Sequence, residues 1–140
     1  MSDLKAAGAI CYLQDGKKVF FLLLRSAKHG EWGPPKGHAE AGETEIETAT
    51  RELYEEAGVR RGVFLPGFRE AISYTVDKKG KKQSKEVVFF LCALESDEIK
   101  LSHEHSEFHF GTLDEVEVLL HHEDLREVFR KAAAHIKAQQ

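Results

Sequence analysis

The sequence predicts an α/β fold in which a mixed β-sheet carries helices on its faces. Three observations lead there. Two apolar runs near the N-terminus, AAGAICYL and VFFLLLR, have the length and composition of strands. The segments FREAISYTV and KEVVFFLCAL are joined by a polar, Lys-rich connection, as in a hairpin. Residues 43–57 and the last quarter of the chain instead repeat their apolar residues at helical spacing.

Taken in order, AAGAICYL is the first strand, and DGKK after it is a tight turn. VFFLLLR is apolar at successive positions, so both of its faces are covered and it belongs in the middle of its sheet. The stretch SAKHGEWGPPKGHAEAGE is rich in Gly and Pro and reads as a loop. A helix is expected over residues 43–57, ended by Gly58 in the usual C-terminal position. Ile46, Ala49, Leu53 and Ala57 form the stripe that would pack on the sheet. The FREAISYTV and KEVVFFLCAL strands follow, linked by DKKGKKQS, and HSEFHFGTL supplies a further short strand. LDEVEVLL and EDLREVFRKAAAHIKA close the chain as amphipathic helices. There is no repeat, linker or low-complexity tail, so residues 1–140 are read as a single domain.

A chain of 140 residues can bury roughly two-thirds of its unfolded surface. The net charge of -4 gives no general attraction to nucleic acid or to an anionic membrane, so a phosphate-bearing partner has to be held by local charge or by metal. Cys11 and Cys92 each sit inside an apolar run and read as reduced, buried thiols, which suits a reducing compartment. The apolar run within MSDLKAAGAICYL is too short and weak for a signal peptide, and no segment is apolar enough to span a membrane. A cytoplasmic monomer without a membrane partner is expected.

The expected helix over residues 43–57 carries an unusual load of carboxylates. Glu52, Glu55 and Glu56 stand at i, i+3 and i+4 and so share a face, where like charges repel by a few tenths of a kcal/mol. Early acidic residues suit a helix N-terminus, and Glu47 can pair with Arg51 four residues on. Neither explanation covers the trio. A divalent cation would turn the repulsion into a binding site, and carboxylate oxygens are hard ligands suited to Mg²⁺ or Mn²⁺.

The order Gly37, Glu43, Arg51-Glu52-Leu53, Glu55-Glu56, Gly58-Val59 resembles the signature of the Nudix hydrolases over residues 37–59. The resemblance extends to chain length and element order. It implies an α/β/α sandwich with a mixed β-sheet, and metal-dependent cleavage of a nucleoside diphosphate linked to another group. By the same resemblance Glu52, Glu55 and Glu56 would ligate metal. Glu43 and Arg51 would form a buried pair locking loop to helix, and Gly37 and Gly58 would be the loop and helix-end glycines.

Specificity lies outside that signature. WGPPKGH (residues 32–38), LSHEH (residues 101–105) and the Tyr74-to-Lys85 segment resemble the asymmetrical diadenosine tetraphosphate hydrolases within the family. This implies Glu104 as a further metal ligand or the general base, so that the catalytic set would be Glu52, Glu56 and Glu104. Lys36, His38, Tyr74 and Lys85 would bind substrate, with Tyr74 stacking on adenine and the lysines on phosphate. The products would be ATP and AMP. The chain departs from that group in carrying Gly30-Glu31 where a His-His pair is usual, and in having either His122 in place of the second stacking Tyr or no counterpart to it. Two enzyme alternatives remain open, cleavage at RNA 5′ ends and hydrolysis of another nucleoside-diphosphate derivative. A catalytically idle nucleotide-binding module is the alternative of another class.

Overall fold

The computed structural model describes residues 4–140, apart from the side chains of Leu4 and Lys78. Residues 1–3, part of the stretch weighed as a signal sequence, lie outside it. The element order is β1 (Leu4–Asp15), β2 (Lys18–Ser26), β3 (Trp32–Gly33), β4 (Lys36–His38), α1 (Glu45–Ala57), β5 (Gly62–Phe64), β6 (Glu70–Lys78), β7 (Lys81–Leu94), β8 (His105–Gly111), α2 (Leu113–Leu119) and α3 (Glu123–Ala138).

These strands form one mixed sheet. Its main path runs β3-β2-β1-β7-β5, with β4 on β1, β6 on β7 and β8 on β2. β1 and β7 pair in parallel from Leu4 opposite Lys85 to Tyr12 opposite Ala93, and the other pairings are antiparallel. Strand alternation, with helices on both faces of the sheet, explains why the central residues of β1 and β2 are apolar at successive positions. Ala9, Cys11, Leu22 and Leu24 face Leu53 and Ala57 of α1. Ile10, Tyr12, Phe21 and Leu23 face Val128, Phe129 and Ile136 of α3. Phe21 meets Phe129 edge-on, with ring centroids 5.4 Å apart. The sheet is thus covered by helices on both sides, as an α/β/α sandwich. Cys11 and Cys92 are free, buried register partners across β1 and β7. No helix among the described residues is long and apolar enough to cross a membrane.

Local chemistry sets the helix ends. Thr44 caps α1: its hydroxyl accepts from the Glu47 amide at 3.2 Å, and the Glu47 carboxylate accepts from the Thr44 amide at 2.8 Å. This capping box starts the helix at Glu45 rather than at residue 43. It also commits Glu47 to the cap, which corrects the expected pairing of Glu47 with Arg51. Thr112 and Glu115 repeat the device at α2, ending the β8 run at Gly111. Gly58 adopts φ +70° and ends α1, and a Cβ there would lie 2.8 Å from the Lys100 Cβ.

Three other expectations change. Ile46 is 38% exposed, and the packed face of α1 is Thr48, Ala49, Leu53 and Ala57. The connection DKKGKKQS is mostly strand: β6 and β7 pair out to Lys78 opposite Lys81, leaving Lys79-Gly80 as the turn, both at positive φ. Within the Gly/Pro-rich loop, β4 adds to β1 through Ala6, Ala7 and Gly8. There the approach is so close that a Cβ on Gly8 would fall 2.3 Å from the Pro35 carbonyl oxygen. That pairing holds residues 36–38 against the body of the protein, beside the acidic face of α1.

Candidate active site

Arg51 organises the acidic face of α1. Its guanidinium forks onto Glu43, Nε to Oε2 at 2.7 Å and Nη2 to Oε1 at 3.0 Å. Nη2 also donates to the His38 carbonyl at 2.9 Å, while Nη1 donates to Glu52 at 2.9 Å and to Glu55 at 3.0 Å. Glu43 takes two more donors, the Glu40 amide and the Thr48 hydroxyl, both at 2.8 Å. The Arg51 fork, followed by the Glu40 amide, holds the Glu43 carboxyl at about 2, far below its usual 4.5. The two side chains are 22% and 17% exposed. The expected lock between loop and helix is therefore present, though water reaches its edge.

Glu52 lies against the backbone of Gly37, where a Cβ would stand 2.1 Å from its carboxyl carbon. Gly37 is a glycine because no side chain fits between β4 and this carboxylate. Burial raises the Glu52 pKa, and the Arg51 charge works against that rise.

Glu56 turns away from Arg51. One of its oxygens accepts from the Lys36 backbone N–H at 3.1 Å and lies 4.0 Å from the His105 Nε2. Burial pushes its pKa from 4.5 up to about 8, against the Lys36 N–H and with further upward pressure from the charges of Glu52 and Glu104. Glu104 arrives from far along the chain because residues 100–102 dock on the C-terminal end of α1. The Lys100 amide donates to the Ala57 carbonyl at 2.9 Å, and the Ser102 amide to the Glu56 carbonyl at 3.1 Å.

The trio Glu52, Glu55 and Glu56 thus shares a helix face but divides between two settings. Among the described residues, no three His, Cys, Asp or Glu side chains converge closely enough to hold one ion as they stand. The donor chemistry nevertheless fits a divalent cation. All donors are carboxylate oxygens, and Glu56 is held protonated near neutrality by burial beside two other carboxylates, a cost that bound positive charge would remove. Glu52 and Glu55 would join such a site by exchanging Arg51 for the ion.

A cavity of about 490 Å³ opens beside these groups. Lys36, Glu56, Tyr74 and Glu104 line it together, although they come from β4, α1, β6 and the segment before β8. Glu52, Glu55, His38 and Lys85 lie outside that lining. His38 contributes its carbonyl to Arg51. Lys85 is the register partner of Tyr74, with its Nζ over the Tyr74 ring, 5.8 Å from the centroid.

His122 lines the same cavity, together with His29, Trp32 and His105, which sequence reasoning did not assign to it. His105 combines proximity to Glu56 with a buried Nδ1 that has no hydrogen-bond partner among the described residues. The LSHEH stretch was a signal for it, but it reads equally as an exposed loop.

Known proteins resemble this chain in sequence and in fold. Residues 4–132 match the model of the NUDIX domain family. The bis(5′-nucleosyl)-tetraphosphatase [asymmetrical] of Sus scrofa is 34% identical, with 91% of this chain and 92% of that protein covered. An mRNA-decapping protein of African swine fever virus is 34% identical over 95 residues, 63% of this chain and 37% of that one. Among solved structures, a binary complex of the Caenorhabditis elegans Ap4A hydrolase superposes with a TM-score of 0.87 at 32% identity, covering 96% of this chain and 98% of that one.

Two outcomes are expected from the geometry. The raised Glu56 pKa means that between about 4.5 and 8 the folded protein holds a proton the unfolded chain has released, so stability falls as pH rises toward 8 and levels off above it. His105, whose pKa is lowered by burial, acts with the opposite sign, and its effect fades as the pH rises above the ordinary 6.5. Denaturant titrations in chelator from pH 7 to 8.5 should therefore show declining stability, and Glu56→Gln or added Mg²⁺ should flatten the decline. A flat wild-type profile would remove the buried proton. Separately, Arg51→Ala should lower both Tm and activity, because it strands Glu43 and Glu52 at once. A melt superimposable on that of the wild type would show the fork to be dispensable.

Proposed function

The chain belongs to the NUDIX domain family, and on that premise we propose that it hydrolyses a dinucleoside polyphosphate asymmetrically, converting diadenosine tetraphosphate to ATP and AMP with Mg²⁺, for which Mn²⁺ can substitute. The observation that carries the reading is the meeting of Lys36, Glu56, Tyr74 and Glu104 in one cavity. An acidic centre, a phosphate-binding amine and an aromatic face are the three things such a substrate requires. The asymmetrical tetraphosphatase relatives, matched over nearly their full length, support the choice of substrate class.

Glu52, Glu55, Glu56 and Glu104 are the proposed ligand set. When bound there, divalent ions neutralise the phosphate oxygens and acidify a water. The chain's own groups then do the rest. Glu104, at the cavity edge, takes the proton of the attacking water, with Glu52 and Glu56 completing the catalytic set. Lys36 holds the polyphosphate, and His38 supports that strand through its carbonyl. Tyr74 stacks on one adenine while Lys85, beside the ring, adds positive charge toward the phosphates. Water oxygen bonds to the phosphorus next to one adenosine, the bridging P–O bond breaks, and ATP leaves. Gly37, Glu43, Arg51 and Gly58 hold the framework. In this reading residues 1–140 act as one catalytic domain, a cytoplasmic monomer with its two thiols reduced.

A second reading, cleavage at RNA 5′ ends, has the viral decapping relative in its favour. Incubation with Mg²⁺ and a panel of dinucleoside polyphosphates, nucleoside diphosphate derivatives and capped or triphosphorylated RNA separates the two. ATP plus AMP is expected from the dinucleotide, with label in AMP when the reaction runs in ¹⁸O-water. Two ADP would reject asymmetrical cleavage, preference for RNA would favour the second reading, and no turnover would leave a binding module. Tyr74→Ala should raise KM roughly tenfold, equivalent to about 1.4 kcal/mol of lost stacking, with a smaller effect on kcat. An unchanged KM would take Tyr74 out of the base site.

A further inference from the structure

Arg25, the penultimate residue of β2, does not line the cavity, but its side chain is bound to the structure behind it. Its Nε donates to the Gly30 carbonyl at 3.1 Å, and its Nη1 donates to Glu107 of β8 at 2.7 Å. Its guanidinium carbon lies 5.8 Å from the Trp32 ring centroid. Residues 26–31 fold back tightly around this point: the Gly30 amide donates to the Ser26 carbonyl and the Ser26 amide to the Glu31 carbonyl, each at 2.8 Å. His29, Glu31 and Trp32, on and just after this fold, line the cavity.

The same fold holds Glu104. The Ala27 amide donates to the Glu104 carbonyl at 2.9 Å. The strand ladder gives little help here, because the β2–β8 register slips between Arg25 and Ser26, which pair with Glu107 and His105 and leave Ser106 unmatched. A bulge of this kind bends the strand and weakens local pairing. The Arg25 side chain spans it, fixing β8 on one side and the fold of residues 26–31 on the other.

We propose that Arg25 is a positioning residue: by clamping Gly30, Glu107 and Trp32 across the bulge, it sets the place of Glu104 at the cavity edge. The kinetic part of this proposal rests on the dinucleotide-hydrolase reading, while the clamp itself does not. Arginine suits the task because its planar fork can serve a carbonyl, a carboxylate and an aromatic ring at once, which a lysine ammonium cannot. The Arg25–Glu107 pair is 44% and 54% exposed, so it contributes little to global stability. Its loss should therefore be felt in catalysis rather than in the melt.

The test compares wild type with Arg25→Ala, Arg25→Lys and Glu107→Gln. Trp32 is the only tryptophan in the chain, so its emission reports on the wall directly and without substrate. In Arg25→Ala, acrylamide quenching of Trp32 should increase while Tm stays near that of the wild type. The kcat for diadenosine tetraphosphate should fall roughly tenfold, a modest part of what small misplacements of catalytic groups can cost, with KM little changed. Arg25→Lys should fail to restore kcat, and Glu107→Gln should shift it in the same direction by less, since the bond to Gly30 remains. Wild-type quenching in Arg25→Ala would overturn the clamp. Wild-type kcat, a loss confined to KM, a drop in Tm that accounts for the lost rate, or full rescue by lysine would overturn the positioning role. Should the wild type hydrolyse no dinucleotide, the substrate reading fails while the quenching comparison still decides whether Arg25 holds the wall.

Discussion

The site depends first on the Arg51 guanidinium. One planar cation joins the loop carboxylate Glu43, the His38 carbonyl on β4 and two helix carboxylates, Glu52 and Glu55. Three acids on one helix face would otherwise repel, and the loop before them would have no fixed relation to the helix. The fork fixes the loop and relieves two of the three acids, Glu52 and Glu55. It keeps Glu43 ionised and docked, and it orients the Glu52 carboxylate beside the backbone of Gly37. Glycine at position 37 and arginine at position 51 thus answer one packing requirement, the close passage of β4 over an acidic helix.

Glu56 shows what that arrangement leaves unresolved. It receives a backbone N–H but no cation, and it is buried beside two other carboxylates, so in the protein alone it favours its protonated form. If a divalent ion binds as proposed, its binding would be linked to loss of that proton, since the ion would supply the charge that burial withholds. The electrostatic cost is concentrated at Glu56, while the rest of α1 is conventionally capped and packed.

Around this centre the cavity is assembled from segments that share no local signal. The carbonyls of Ala57 and Glu56 at the end of α1 capture the amides of Lys100 and Ser102, which brings Glu104 within electrostatic reach of Glu56. The long β6–β7 hairpin sets Tyr74 opposite Lys85. The bulge where β2 meets β8 lets the wall of residues 26–32 fold over the site, and Arg25 spans it. Backbone hydrogen bonds do most of the placing, and side-chain chemistry is presented on top.

By itself the sequence determined the layered α/β arrangement, the helix bearing the acidic face, the Gly58 stop and the Glu43–Arg51 lock. Each is written in short-range periodicity or in the fixed spacing of one motif, which the chain displays whatever its distant contacts are. It also supplied the carboxylates and the basic and aromatic residues proposed for the substrate. It misjudged what neighbours decide. Glu47 went to the Thr44 cap because a backbone amide three residues away outcompetes a longer reach to Arg51. Ile46 stayed exposed because α1 meets the sheet only from Thr48 onward. The strands β3, β4 and β5, two or three residues long, are too short to show a period and exist only because β1, β2 and β7 offer them an edge. Tertiary structure alone decided that Glu56 parts company with Glu52 and Glu55 and that His105 faces Glu56, and it supplied the contacts that bring Glu104, expected from the LSHEH resemblance, near Glu56. Those choices rest on burial and on hydrogen bonds between residues dozens of positions apart, and no local pattern in a chain encodes either.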